Sequence, residues 1–206
     1  MVPRTLILAC GALARELLDV ARLHELDGVT VDCLPAALHN TPKKIPDAIR
    51  SRLDEVRDDY DRILIGYADC GTGGLLDDIC ATEGVERLPG AHCYQFFAGS
   101  DRFDAMHSDD PTAFYLTDYL AKHFQRLIMG GLGIEAHPEL LAMYFGNYTK
   151  LIYLAQTNNA EIEAKAQQAA TDLGLEYLRI DTGYGELEES VVEFTTRPAL
   201  QGATTS

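Results

Sequence analysis

The sequence predicts an α/β protein: a doubly wound (Rossmann-like), mostly parallel sheet with a helical insertion. Short aliphatic runs bounded by Gly and Pro alternate with stripes of apolar residues at helical spacing. From Leu6 to Leu88 the alternation reads βαβαβαβ, a rhythm that parallel strands with right-handed crossovers produce. A chain of 206 residues with 47% hydrophobic side chains is long and apolar enough to bury a substantial core.

Leu6-Ile7-Leu8-Ala9 reads as a buried strand, and Leu13, Leu17, Val20 and Ala21 recur at helical spacing behind it. Val29–Leu34 is a second strand, stopped by Pro35. After a loop through His39-Asn40-Thr41-Pro42, Ile45, Ile49, Leu53, Val56 and Tyr60 form one helical stripe, with a charged opposite face. Arg62–Tyr67 is the third strand. Gly71-Thr72-Gly73-Gly74 opens a short helix through Leu75, Leu76 and Ile79, and Val85–Leu88 is a fourth strand. From Tyr94 to Tyr148 the pattern changes: Phe114 through Ile128 and Pro138 through Phe145 read as helices separated by Gly130-Gly131-Leu132-Gly133. The β-rhythm resumes at Leu151–Leu154. A helix with Ile162, Ala166, Ala169 and Leu173 on one face ends at Gly174. Tyr177–Ile180 is the last strand and Leu187–Phe194 the last helix. The expected organisation is one α/β domain over 1–196, with the insertion at about 94–148 and a disordered tail at 197–206.

A net charge of −15 disfavours nucleic acid and anionic membranes as partners. No signal-peptide pattern or membrane-length apolar run occurs, so a cytoplasmic location is expected. Five cysteines, an odd number, fit reduced thiols better than a disulfide framework.

Cys10, His39, Cys70 and Cys93 each follow a different expected strand. In a parallel sheet the carboxyl ends of the strands share one edge, where ligands bind. Three thiols and an imidazole are a set that zinc accepts in tetrahedral geometry. The metal reading competes with plain burial, since cysteine often serves only as a small hydrophobe, and no CxxC pair supports it. Cys33, inside a strand, and Cys80, on a short helix, read as core. His92, adjacent to Cys93, is an alternative ligand to His39 or a candidate acid/base. Asp69 either orients a ligand or forms the turn. Gly71, Thr72, Gly73 and Gly74 present backbone N–H groups to an anion or make a tight turn; they lack a P-loop lysine. Tyr67, Tyr94, Tyr115 and Tyr119 are candidate pocket walls. Among the other histidines, His24 suits a helix end, His123 a core stripe, His137 a helix start and His107 the surface.

Five segments, Leu6–Leu13 (LILACGAL), His39–Pro42, Gly66–Gly74 (GYADCGTGG), Gly90–Gly99 (GAHCYQFFAG) and Phe114–Asp118 (FYLTD), carry a resemblance. They resemble domain-of-unknown-function family 1638, roughly from Arg4 to Ile180. The resemblance implies a neighbourhood of corrinoid-dependent methyltransferases, hence one-carbon metabolism, and it implies Cys10, His39, Cys70 and Cys93 as site residues. The His92-Cys93 pairing here resembles an Asp-Cys pairing in other members, a departure that weakens His92 as a ligand.

The expected function is therefore a zinc-dependent methyltransferase, with Asp69 or His92 assisting a proton and a corrinoid protein or methyltransferase as partner. No Asp-x-His-x-x-Gly signature is present for holding the corrinoid itself. The alternatives are an accessory protein holding a metal, an iron–sulfur cluster or a corrinoid intermediate, and a small-anion binding module with structural cysteines.

Overall fold

A computed structural model of the protein describes residues 2–197. The expected tail at 197–206 lies, after Arg197, outside the described residues. The chain forms two compact units: one runs through Cys93 and takes in Leu187 to Arg197, and the other is Tyr94–Glu186.

The first unit is built on four parallel strands. They are β1 (Thr5–Cys10), β2 (Val29–Leu34), β3 (Arg62–Gly66) and β4 (Glu86–Arg87), in the order β2-β1-β3-β4. The crossovers carry α1 (Ala14–Leu23), α2 (Ile45–Val56) and α3 (Leu75–Glu83). All six residues of β1 are buried, which is why its sequence is aliphatic without alternation. Leu6, Leu8 and Cys10 face one way, onto Ile45, Ile49 and Leu53 of α2 and Leu76, Ile79 and Cys80 of α3. In α1 the buried stripe is Glu16, Leu17 and Val20.

The second unit holds α4 (Cys93–Ala98, starting at the last residue of the first), α5 (Ser100–Asp109), β5 (Ala113–Leu116), α6 (Asp118–Phe124), a π-helical stretch (Gln125–Gly130) and α7 (Leu140–Phe145). It continues with β6 (Lys150–Ala155), α8 (Ala160–Leu173) and β7 (Glu176–Asp181). Its three strands are parallel, in the order β5-β6-β7. The last helix, α9 (Gly185–Thr196), returns the chain to the first unit. Phe114-Tyr115-Leu116, expected as the start of a helix, is β5. Three apolar residues do not distinguish a strand from a buried helical turn until pairing with β6 decides it.

The Phe114–Asp118 segment also explains its own chemistry. Thr117 Oγ1 accepts the Leu120 N–H at the start of α6. Buried Asp118 accepts hydrogen bonds from Tyr153 Oη at 2.7 Å, Gln156 N at 3.0 Å and Thr157 Oγ1 at 2.5 Å. A buried carboxylate so fully engaged ties α6 to the end of β6. No helix among the described residues is long and apolar enough to cross a membrane.

Candidate functional site

The chain leaves β1 for β2 on one side and returns to β3 on the other. The connections after β1 and β3 therefore diverge at their carboxyl ends, the position where ligands bind in sheets of this kind. Cys10 is the last residue of β1, on the core-facing side with Leu6 and Leu8. Gly66 ends β3 opposite Ala9; a Cβ there would lie 2.5 Å from the Ala9 Cβ, so glycine lets the two strands close. Beyond β3 the pairing continues without a strand: Asp69 N donates to Gly90 O and Cys70 N to Ala91 O, both at 3.0 Å. Those bonds bring Cys70 alongside the His92-Cys93 segment.

Cys70 has φ = 50°, one of two non-glycine residues in the left-handed region among those described. It starts a loop in which Gly71, Gly73 and Gly74 also have positive φ. Asp69 organises that loop: Thr72 Oγ1 donates to it at 2.7 Å, Gly74 N at 2.8 Å and Gly73 N at 3.2 Å. Burial works against the charged carboxylate, but these bonds, with one from Gly71, outweigh it and hold the Asp69 pKa below its usual value. Asp69 is therefore an ionised turn-former. The amides of Gly73 and Gly74, expected as donors to an outside anion, already serve it.

Cys10, Cys70 and Cys93 share one electrostatic environment. Burial pushes the Cys70 thiol up to about 12, with the Cys10 thiol adding to the shift. Burial likewise raises Cys93, and both Cys70 and Cys10 add to it. Cys10, almost fully buried, is raised by burial, against the lowering influence of the Ala12 backbone. In the protein alone all three are thiols near neutral pH. Cys33 pairs with Ala9, so the pleat puts it on the face opposite Cys10. Cys80 packs in the core beneath α3. Burial raises both to about 11.

His39 lies on an exposed 3-10 turn (Ala36–Asn40), with open access to water on one side. The crowded chain on its other side and the nearby His92 hold its imidazole pKa below the ordinary value. The structure thus gathers the three thiols and sets the two histidines beside each other at the surface. Among the described residues, no three Cys, His, Asp or Glu side chains already stand at metal-holding distances. Three thiols are a donor set that suits a soft ion.

Two neighbours of the thiols carry chemistry the sequence reading did not assign. Glu16 on α1 is 3% exposed and close enough to Cys93 to disfavour its thiolate. Its position is legible: it sits three residues after Leu13 and four before Val20, on the buried stripe. Tyr67 is 2% exposed, with its hydroxyl beside the Cys10 thiol but outside hydrogen-bond geometry, and without another partner among the described residues.

Fold and site together define an α/β protein with three cysteines gathered at the carboxyl edge of its first sheet. The chain belongs to the DUF1638 family, described as a protein of unknown function, whose model matches residues 33–191. His39, Cys70 and Cys93 lie within that span and Cys10 lies before it. No curated protein matches the chain.

Proposed function

We propose that the first unit binds a soft, zinc-like metal ion through Cys10, Cys70 and Cys93, and that this site serves methyl transfer in corrinoid-linked one-carbon metabolism. The observation that carries the reading is the gathering of three thiols at the divergence of β1 and β3, one of them on a strained left-handed backbone. Cys70 packs only partly against the apolar cluster that includes Cys10, and it does so at a φ where glycine fits better.

An ion held there supplies Lewis acidity and keeps a thiol substrate as a nucleophilic thiolate near neutral pH. Cys10, Cys70 and Cys93 would hold such an ion, and as only three ligands they would leave it free to take that substrate thiol. The role of the chain is to exclude water through Leu34, Leu38 and Tyr67, which belong to the apolar cluster that includes Cys10. Asp69 keeps the Cys70 turn rigid, and Glu16 is placed to take up a proton displaced from Cys93. His39 and His92 stand at the surface, where a docking partner or an incoming thiol would meet them.

Anaerobically purified protein is expected to carry about one zinc per chain, or to take up Co(II) with a thiolate charge-transfer band. Cys10→Ser, Cys70→Ser and Cys93→Ser are each expected to lose the band. A protein that takes up neither metal, or whose Cys93→Ser variant retains both, sinks the proposal. A brown protein with visible iron–sulfur absorption favours the accessory reading instead.

A further inference from the structure

The second unit is acidic, with thirteen Asp and Glu against six Lys and Arg. Three of those six, Lys122, Arg126 and Lys165, nevertheless line a single groove beside α6 and α8, together with His123. The groove encloses about 350 Å³, within the size range of small-ligand sites; Ala121 and Phe124 at its base are almost fully buried, so the apolar part of its wall comes mainly from the aliphatic stems of side chains such as Lys122, Arg126 and Lys165. Lys122 and Arg126 are four residues apart and exposed, so they project from one face where α6 runs into the π-helical stretch.

Most other cations of this unit are neutralised. Lys150 pairs with Asp110 at 2.8 Å, and Arg179 pairs with Glu163 and Asp181. In the groove only Lys165 has such a partner, Glu161 at 2.8 Å. Among the described residues no carboxylate is within ion-pair distance of Lys122 or Arg126. Asp172 stands nearby with its two oxygens engaged by Gln125 and Gln168, at 2.7 and 2.8 Å. His123 registers the resulting field. After burial, the charges on Arg126, Lys122 and Lys165 all work against its protonation.

We propose that this groove is a binding site for a small organic phosphate, its apolar body along the side-chain stems that line the groove and its dianion among Lys122, Arg126 and Lys165. A guanidinium with two ammonium groups suits a doubly charged oxyanion better than a single carboxylate. The site is separate from the thiols and does not rest on the metal reading. Bound phosphate would offset the field of the three cations at His123, so its imidazole would gain a proton more readily in the complex than in the free protein. The charged and titratable groups around that ring are Tyr119 and Lys122 on α6, Arg126 after it, and Glu161, Lys165 and Asp172 on α8.

The test is a titration of the full chain with phenyl phosphate at low ionic strength, followed through the His123 ring signals by NMR, with benzoate and phenol in parallel. Saturable binding with an upward shift of the His123 titration is expected, weaker for benzoate and absent for phenol. Lys122→Ala/Arg126→Ala should weaken phenyl phosphate at least about tenfold, as loss of charge-assisted bonds does. Lys122→Gln/Arg126→Gln gives the same reading should the alanine pair disturb folding. An unmoved His123 signal, phenol binding as well as phenyl phosphate, or undiminished affinity in the double variant overturns the proposal.

Discussion

Cys70 shows how a single residue can set local stability against a proposed role. A left-handed backbone costs an L-residue about 1–2 kcal/mol, and glycine returns part of that through its looser unfolded chain. Cys70→Gly is therefore expected to stabilise the metal-free protein by about 0.5–1 kcal/mol in urea denaturation while abolishing metal uptake. A clear loss of stability would mean that the thiol is held by packing. Burial raises the Cys10, Cys70 and Cys93 pKa values, with repulsion from neighbouring thiols adding to it at Cys70 and Cys93, so each thiol must release a proton to become a ligand. Metal affinity should climb by about tenfold per pH unit for each thiol deprotonated, read from competition with a chelator across pH 6–8. Asp69 has the opposite sign. Its folded pKa is depressed, so its stabilisation is present above the unfolded carboxylate value and is lost as the pH falls through the folded one. Asp69→Asn should cost about 1–2 kcal/mol at neutral pH and flatten the acid side of the stability profile.

Among the elements, β1 and β3 set the edge where the thiols gather. Gly66→Ala would set a methyl 2.5 Å from the Ala9 Cβ and 3.1 Å from its Cα. Backbone and side chain cannot both yield, so a cost of at least about 1–3 kcal/mol is expected in denaturant titration, together with weaker metal uptake from displaced Cys10. The first three strands were legible because continuous aliphatic runs between turn residues have few other readings. Val29–Leu34 is found as expected, and Arg62–Gly66 ends one residue earlier than expected. The α2 stripe was equally clear, with Ile45, Ile49 and Leu53 fully buried. β5 was not legible, because Phe114-Tyr115-Leu116 is too short for its period to be read. Glu16 was legible by position, but a charged residue on an apolar stripe does not state what it faces.

For the whole molecule, the compactness of Tyr94–Glu186 is a testable property. It is one continuous stretch with its own three-stranded sheet and its own clusters around Tyr153 and Tyr115. Residues 94–186 expressed alone should therefore give a cooperative thermal transition by circular dichroism. A fragment without one would mean that these clusters need the rest of the chain. The sequence by itself determined the α/β class, most strand positions and the family, since each follows from local periodicity and short motifs. Only the tertiary structure decided that the strands divide between two sheets, that three distant cysteines come within electrostatic reach of one another while His39 and His92 are exposed, and that the glycine-loop amides are spent on Asp69. Strand order, backbone φ and hydrogen-bond partners arise between residues far apart or through torsions, and neither leaves a mark in the order of side chains along the chain.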